Sequence, residues 1–190
     1  MNDIINKAIK VLSEGGLVVY PTDTLYALGA SIFKPDAVRK VYKIKKRPLE
    51  FYLPVAVSNV EGINDIAVMN STAKKIAEKF MPGAITIVLE KKKVVNEIVA
   101  GDKIAVRIPD NPIALEITSL AGPITATSAN IHNGTAPSDI GTAKKQLGDN
   151  VELYIDGGKL NGVPSTIVDV SGGDIKIIRE GAIKTERFYE

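Results

Sequence analysis

Short apolar runs alternate with segments of helical periodicity along most of the chain, and this alternation restricts the fold more than any other feature of the sequence. Residues 17–20 form an apolar run that stops at Pro21, while residues 3–14 carry Ile5, Ala8 and Leu12 on one helical face. Strands that alternate with helices are typical of α/β domains. The sequence therefore predicts an α/β fold with a twisted mixed β-sheet flanked by helices.

Glycine and proline mark the ends of most predicted elements. Pro35 suits the first turn of a helix that must end before Pro48, and Pro82-Gly83 stops another helix. Further helices are predicted over residues 71–80, 112–120 and 142–147. Further strands are predicted over residues 53–57, 84–89, 104–108, 124–126, 151–155, 166–170 and 175–178.

Length and composition limit the domain count and the chemistry. The 190 residues suit a single domain, with a charged tail at 184–190 that is expected to be mobile. The chain has no cysteine, which excludes disulfides, thiolate nucleophiles and Cys-based zinc sites. Its single histidine is His132. The net charge of +2 gives no large polycationic field. With no signal-peptide pattern and no apolar run of membrane-spanning length, the sequence predicts a cytoplasmic protein.

A cluster of polar side chains follows the strand predicted at 17–20. Thr22, Asp23, Thr24 and Tyr26 lie together on one turn. Ligands in open α/β sheets bind beyond the carboxyl ends of strands, so this position suits a binding loop. The same residue types also bond to nearby backbone in ordinary turns, and the segment by itself favours that structural interpretation.

Cationic side chains occupy two further positions of interest. Lys45 and Arg47 lie near a helix C-terminus, where they suit either the helix dipole or a triphosphate. Arg107 ends an otherwise apolar strand, where a buried guanidinium needs an anionic partner. That partner is either a structural carboxylate or a substrate carboxylate, and the position at a strand end favours the substrate.

Small and hydroxyl-bearing residues follow a later strand at Ser128-Ala129-Asn130, and Ser165 and Arg179 lie beside two more. Small side chains let the backbone approach a ligand, although a tight turn needs them as well. His132 lies next to the turn signal Asn133-Gly134 and is expected to be exposed. The sequence contains no GxxxxGK phosphate loop and no GxGxxG turn. If the protein uses ATP, its nucleotide site is therefore not of the P-loop type.

Seven short segments stand in a fixed order between residues 15 and 183. They are residues 20–29 (YPTDTLYALG), 45–48 (KKRP), 82–86 (PGAIT), 105–109 (AVRIP), 128–130 (SAN), 165–169 (STIVD) and 179–181 (REG). Each alone is a weak signal, whereas seven in order are specific. Together they resemble the motifs of the threonylcarbamoyl-AMP synthase family, also called the YrdC-like domain.

The resemblance implies a fold and a reaction. The implied fold is a single YrdC-like domain over residues 1–190, whose twisted mixed sheet and helices surround a positively charged concave groove. The implied enzyme is a nucleotidyltransferase that makes threonylcarbamoyl-AMP and pyrophosphate from L-threonine, bicarbonate or CO2, and ATP. Mg2+ would be bound mainly through ATP, without a metal site in the protein. The product would serve a downstream threonylcarbamoyl transferase complex that modifies adenosine 37 of tRNA, and the chain could act with or without its own contact to tRNA or double-stranded RNA.

The resemblance also assigns roles by position. The residues expected around L-threonine are Thr22, Arg107, Ala126 and Ser165. The residues expected to line the ATP side are Lys45, Arg47, Lys103, Ser128, Asn130, Ser138 and Arg179. Of these, Lys45 and Arg47 are the predicted catalytic residues, because they would neutralise phosphate charge in the transition state.

A few positions depart from the family pattern and bear on amino-acid selectivity. Phe51-Tyr52 replaces an Asn-Pro or Lys-Pro pair, Ala27 replaces a glycine, and Ala56 and Asn111 lie where relatives place histidines. Three other functions stay open at this point. They are an RNA-binding module without turnover, adenylation of a different carbamoyl compound, and a protein that keeps the fold but has lost the activity.

Overall fold

The computed structural model describes residues 2–189 and arranges them as two β-sheets with flanking helices. The helices are α1 (Asn2–Ser13), α2 (Pro35–Lys45), α3 (Val60–Ile66), α4 (Ser71–Phe80), α5 (Pro112–Ala121) and α6 (Ile140–Leu147), with 3-10 turns at Gly148–Asn150 and Thr185–Phe188. The strands are β1 (Val18–Tyr20), β2 (Ala27–Gly29), β3 (Val55–Ala56), β4 (Ala67–Val68), β5 (Ile85–Lys91), β6 (Lys103–Arg107), β7 (Ile124–Thr125), β8 (Thr127–Ser128), β9 (Leu153–Tyr154), β10 (Thr166–Asp169) and β11 (Lys176–Arg179). The predicted α/β class is confirmed.

The strands form a four-stranded and a seven-stranded sheet, where the sequence predicted one. The smaller sheet has the order β8-β2-β1-β9, and the larger has the order β11-β10-β5-β6-β3-β7, with β4 paired to β5. Both sheets are mixed, since β1 and β5 each have one parallel and at least one antiparallel neighbour. A bridge between Ser31 and Ile124 joins them. The sequence could not show this division, because β2, β7 and β8 are too short to display a period.

The apolar faces that periodicity predicted are buried. In α1, Ile5, Ala8 and Leu12 are buried and belong to one cluster with Ala114 and Ile117 of α5. A larger cluster joins helices α2, α3 and α4 to strands β5 and β6 through Val41, Ile63, Ile76, Ile87 and Val106. These contacts fix the strand ends from which the polar loops emerge.

Most predicted elements are present with small shifts at their ends. Helix α4 begins and ends at the predicted residues, whereas the strand predicted over 53–57 is limited to Val55–Ala56. Helix α3 and strand β4 were not predicted. A signal for α3 was available, because Asn59 is a suitable N-cap residue and its side chain accepts a hydrogen bond from the Gly62 N–H at 2.8 Å.

The last described residues fold back onto α4. The Phe188 ring lies 4.9 Å from the Phe80 ring, and Lys79 Nζ donates to the Arg187 carbonyl at 3.0 Å. The mobility of residues 184–190 stays a prediction, and Glu190 lies outside the described residues. Across residues 2–189, no helix is both long and apolar enough to cross a membrane.

Asn111 is the N-cap residue of helix α5. Its Oδ1 accepts hydrogen bonds from the backbone N–H groups of Ile113 at 3.0 Å and Ala114 at 3.2 Å. We expect Asn111→Ala to lower the free energy of unfolding by about 1 kcal/mol, because two donors of the first turn lose their acceptor. Urea denaturation measures this loss. Asn111→Asp keeps the acceptor and should keep most of the stability, and an unchanged urea midpoint for the alanine variant would contradict the capping role.

Candidate functional site

A cavity of about 380 Å³ opens where the carboxyl ends of several strands meet the polar loops. The structure brings seven of the predicted site residues into its lining, namely Thr22, Arg47, Arg107, Ala126, Ser128, Ser165 and Arg179. Three arginines therefore reach one small cavity, and no acidic side chain of residues 2–189 is part of the lining. Guanidinium groups arranged in this way suit carboxylate and phosphate ligands.

The turn after β1 serves the local backbone and also faces the cavity. The Thr22 hydroxyl donates to the Leu25 carbonyl at 2.7 Å and accepts from the backbone N–H groups of Thr24 and Leu25, both at 3.2 Å. This is the structural interpretation that the sequence favoured. Thr22, Thr24 and Tyr26 also line the cavity. The segment can therefore be both a structural turn and part of a binding site.

Arg107 ends β6 at the cavity and is 5% exposed. Its Nη2 lies 2.5 Å from Asp23 Oδ1, and its Nη1 donates to Thr24 Oγ1 at 3.0 Å. Burial lowers the pKa of Arg107, and the carboxylate of Asp23 opposes that shift. The anionic partner of Arg107 in this structure is thus a structural carboxylate. The sequence analysis had favoured a substrate carboxylate instead.

The pair of Arg107 and Asp23 leaves hydrogen-bonding capacity unused. Within residues 2–189, neither Nε of Arg107 nor Oδ2 of Asp23 has a hydrogen-bond partner, although both atoms are buried. An unused buried donor beside a cavity is unfavourable unless a ligand or water satisfies it. Arg107 therefore keeps its structural partner with one donor unpaired, and its side chain also lines the cavity.

Ser165, just before β10, and Arg179, at the end of β11, lie together and line the same cavity as Arg107. The Ser165 hydroxyl is 2.9 Å from the Thr86 hydroxyl, and Arg179 Nη2 donates to the Ser165 carbonyl at 2.8 Å. Gly181 allows this approach, because a Cβ there would lie 2.2 Å from the Pro164 carbonyl oxygen. Burial lowers the pKa of Arg179, and the nearby charge of Arg107 lowers it further.

Arg47 reaches the cavity because the chain turns sharply at the end of α2. Lys46 adopts the left-handed conformation, with φ of 50°, and so ends the helix. Arg47 Nε then donates to the Phe51 carbonyl at 2.8 Å, and Nη2 donates to the Tyr52 carbonyl at 3.1 Å. These bonds hold the guanidinium at the cavity wall, where burial lowers its pKa.

Lys45 lies behind the cavity lining, although the sequence placed it on the ATP side. The residue is 1% exposed, and its Nζ donates to the carbonyls of Ser128 and Asn130, the latter at 2.6 Å. The backbone N–H of His132 donates to the Lys45 carbonyl at 2.7 Å. Burial, with a smaller effect of Arg47, lowers the pKa of Lys45 to about 7. In this structure Lys45 therefore holds the loop that carries Ser128.

Three other predicted ATP residues are also outside the lining. Lys103 begins the strand that Arg107 ends, about 13 Å away at the usual rise per residue, and its Nζ pairs with Asp169 Oδ2 at 2.8 Å. Asn130 is buried and donates to the carbonyls of Ile131 and Gly134. The Ser138 carbonyl accepts from the Leu160 N–H at 2.8 Å.

Other residues of the site were not assigned from the sequence. Tyr52, Thr86 and Pro164 line the cavity, and a strap at residues 157–164 lies beside it. The Tyr26 hydroxyl fixes the strap by accepting from the Gly157 N–H at 2.9 Å and donating to the Gly158 carbonyl at 2.7 Å. The glycine-rich composition of the strap signalled only a turn. His132 is half-buried, not exposed as expected, because its backbone and ring contact the Lys45 and Phe51 region.

The fold and the site define a class of protein. It is an α/β protein with a small-molecule cleft at its strand ends, in which arginines and hydroxyls converge on an anionic ligand. Among residues 2–189, no group of three or more carboxylate or imidazole side chains is placed to hold a metal ion.

Comparison with known proteins identifies the family. The family model Sua5_yciO_yrdC, described as telomere recombination, matches residues 10–181, and the chain belongs to this family. A putative threonylcarbamoyl-AMP synthase of Methanocaldococcus jannaschii is 40% identical over 94% of this chain and 86% of its own length. The threonylcarbamoyl-AMP synthase of Pyrococcus abyssi is 34% identical over 96% of this chain, which spans only 55% of that relative.

A solved structure agrees with the sequence relatives. The crystal structure of P. abyssi Sua5 complexed with L-threonine superposes with a TM-score of 0.93 at 33% identity, covering 96% of this chain and 55% of that one. The predicted family and its twisted, mixed α/β fold are therefore confirmed.

Proposed function

We propose that this protein is a threonylcarbamoyl-AMP synthase, which joins L-threonine, bicarbonate or CO2, and the AMP part of ATP. One observation carries the proposal. Residues predicted for the threonine side and for the ATP side, including Arg107 and Arg47, line the same cavity although they come from distant parts of the chain. The names of the relatives and the threonine complex of P. abyssi Sua5 support the same activity.

The threonine end is built around Arg107. Its buried guanidinium has donor capacity beyond the bonds to Asp23 and Thr24, and it would bind the threonine carboxylate. Ala126, Thr22 and Ser165 line the same cavity and would enclose the rest of the amino acid. The Ser165 hydroxyl, 2.9 Å from that of Thr86, can exchange this bond for one to the substrate.

The reaction then needs positioning and charge stabilisation, with no side-chain nucleophile. The threonine amine adds to the carbon of CO2 and loses a proton, which gives a carbamate. A carbamate oxygen attacks the α-phosphorus of ATP, and the bond to the leaving pyrophosphate breaks. Arg47 and Arg179 line the cavity and would stabilise the charge that develops on the phosphates.

The remaining components belong to the same proposal. Mg2+ would be held mainly by ATP phosphates and water. The three arginines would make the concave groove positively charged. The chain would act as one domain in the cytoplasm and supply a threonylcarbamoyl transferase that modifies tRNA, with or without its own contact to tRNA.

Pyrophosphate release tests the proposal. The purified protein is incubated with ATP, Mg2+ and bicarbonate, with and without L-threonine, and released pyrophosphate is measured. We expect release only when threonine and bicarbonate are both present, and mass spectrometry should detect threonylcarbamoyl-AMP. Release with another amine in place of threonine would favour a different carbamoyl compound. ATP binding without any release, or salt-dependent RNA binding alone, would contradict the enzyme and favour a binding module.

A further inference from the structure

An aromatic side chain with cationic and imidazole neighbours lies just outside the cavity lining. The Phe51 ring is 49% exposed, and the guanidinium carbon of Arg47 lies 5.6 Å from its centroid. The His132 ring centroid is 5.5 Å from that of Phe51, with an angle of 37° between the ring planes. Since Arg47 itself lines the cavity, the three side chains form a platform at the cavity mouth.

The platform is fixed to the two motifs that carry the proposed ATP side. Arg47 Nε donates to the Phe51 carbonyl at 2.8 Å, which ties Phe51 to the end of α2. The His132 N–H donates to the carbonyl of Lys45, which ties the loop after Ser128 to the same helix. Phe51 lies between Leu49 and Tyr52, which are also about half exposed, so this segment presents an apolar surface that a ligand can cover.

We propose that Phe51, with Arg47 and His132 beside it, binds the nucleobase of the nucleotide by stacking. The inference rests on the proposed function, because it needs the phosphates to lie along the cavity arginines. A flat base stacks well on an aromatic ring flanked by a guanidinium. The cavity, at about 380 Å³, is near the lower end of small-molecule sites, which range over roughly 300–1,000 Å³. Threonine and the phosphates would occupy it, and the base would extend to the mouth.

Phe51 is followed by a second aromatic residue, Tyr52. Tyr52 lines the cavity itself. Its hydroxyl packs against Gly101, where a Cβ would lie 2.7 Å from the hydroxyl oxygen. Phe51 is not part of the lining, so its half-exposed ring is available to a base that extends beyond the cavity.

Calorimetric titration with two ligands tests the platform. The wild-type protein, Phe51→Ala and Phe51→Tyr are each titrated with ATP and with inorganic tripolyphosphate, which lacks base and ribose. We expect Phe51→Ala to bind ATP about fivefold or more weakly and tripolyphosphate unchanged, because only the base contact is lost. Phe51→Tyr keeps the ring and should bind ATP as the wild type does. Phe33→Ala is the matched control, since Phe33 is 50% exposed and is not part of the cavity lining.

The outcomes separate this inference from the proposed function. Equal losses for ATP and tripolyphosphate would overturn the inference, because Phe51 would then act only by holding Arg47. Unchanged ATP affinity in Phe51→Ala, or an equal loss in Phe33→Ala, would overturn it as well. A wild-type protein that turns over ATP with threonine while Phe51→Ala binds ATP normally would refute the platform alone. A wild-type protein that binds neither ATP nor tripolyphosphate would refute both.

Discussion

Replacing Arg107 with methionine is expected to reduce threonine-dependent pyrophosphate release by about 100-fold or more, because a preorganised charge contact to the substrate is lost. The same change should also lower stability. Asp23 would keep a buried carboxylate, and its one ion-pair partner within residues 2–189, 2.5 Å away, would be gone. Breaking a buried pair from one side costs about 3–5 kcal/mol. Enzyme assays with a threonine titration and urea denaturation measure the two effects.

A double variant separates the structural part of this effect from the functional part. In Asp23→Asn/Arg107→Met no charge remains unpaired, so most of the lost stability should return. Activity should not return, because no guanidinium is left for the threonine carboxylate. Recovery of activity in the double variant would mean that Arg107 serves only to neutralise Asp23. Arg107→Lys adds a useful intermediate, since it keeps the charge and loses the fork that can bond to Asp23, Thr24 and a ligand together.

Strand β6 shows how far motif positions predict a site. The sequence assigned both of its terminal residues, Lys103 and Arg107, to ligands. Only Arg107 lies in the cavity, because a strand of five residues separates its ends by about 13 Å and the polar loops gather at one end. Lys103 instead pairs with Asp169 of β10. A motif identifies the strand, but the sheet decides which end faces the ligand.

Pairings between distant segments are the part that the sequence could not supply. The hydroxyls of Thr86 and Ser165 are adjacent because β5 and β10 are parallel neighbours in register, and no local pattern encodes that register. Periodicity did predict buried faces such as that of α1, because burial of one helix face depends on local spacing. The apolar strand around Arg107 predicted that its buried guanidinium needs an anionic partner. Only the fold shows that Asp23 lies close enough to be that partner.

Lys45→Met is expected to reduce activity by about 100-fold without unfolding the protein, since the loop that carries Ser128 loses its support. The Nζ of Lys45 donates to the part-buried carbonyl of Ser128 and to the buried carbonyl of Asn130. Leaving a buried acceptor unpaired costs about 1–3 kcal/mol. Lys43→Met is the matched control, because Lys43 is exposed on the same helix. Full activity in Lys45→Met would contradict any role for this lysine in the site.

The pH dependence of stability provides an independent test of the buried lysine. The folded-state pKa of Lys45 is about 7, below its ordinary value of 10.5, so the unfolded state binds more protons between these pH values. The free energy of unfolding of the wild type should therefore rise with pH across that window relative to Lys45→Met, by at most about 1.4 kcal/mol per pH unit. Below pH 7 both states are protonated, and the difference between the two proteins should be constant. A difference that does not change between pH 7 and 10 would show that the amine is solvated and charged.

Two further measurements on Lys45→Met distinguish support of the loop from the predicted contact with phosphate. If Lys45 holds the loop, amide hydrogen exchange at residues 128–132 should accelerate, since the His132 amide and the two carbonyls belong to the same set of bonds. Tripolyphosphate affinity should then change little. If Nζ instead leaves the carbonyls to bind ATP, tripolyphosphate affinity should fall about tenfold or more while exchange at the loop stays as in the wild type. Faster exchange with unchanged tripolyphosphate affinity would make Lys45 a positioning residue. Weaker tripolyphosphate binding with unchanged exchange would support its predicted catalytic role beside Arg47.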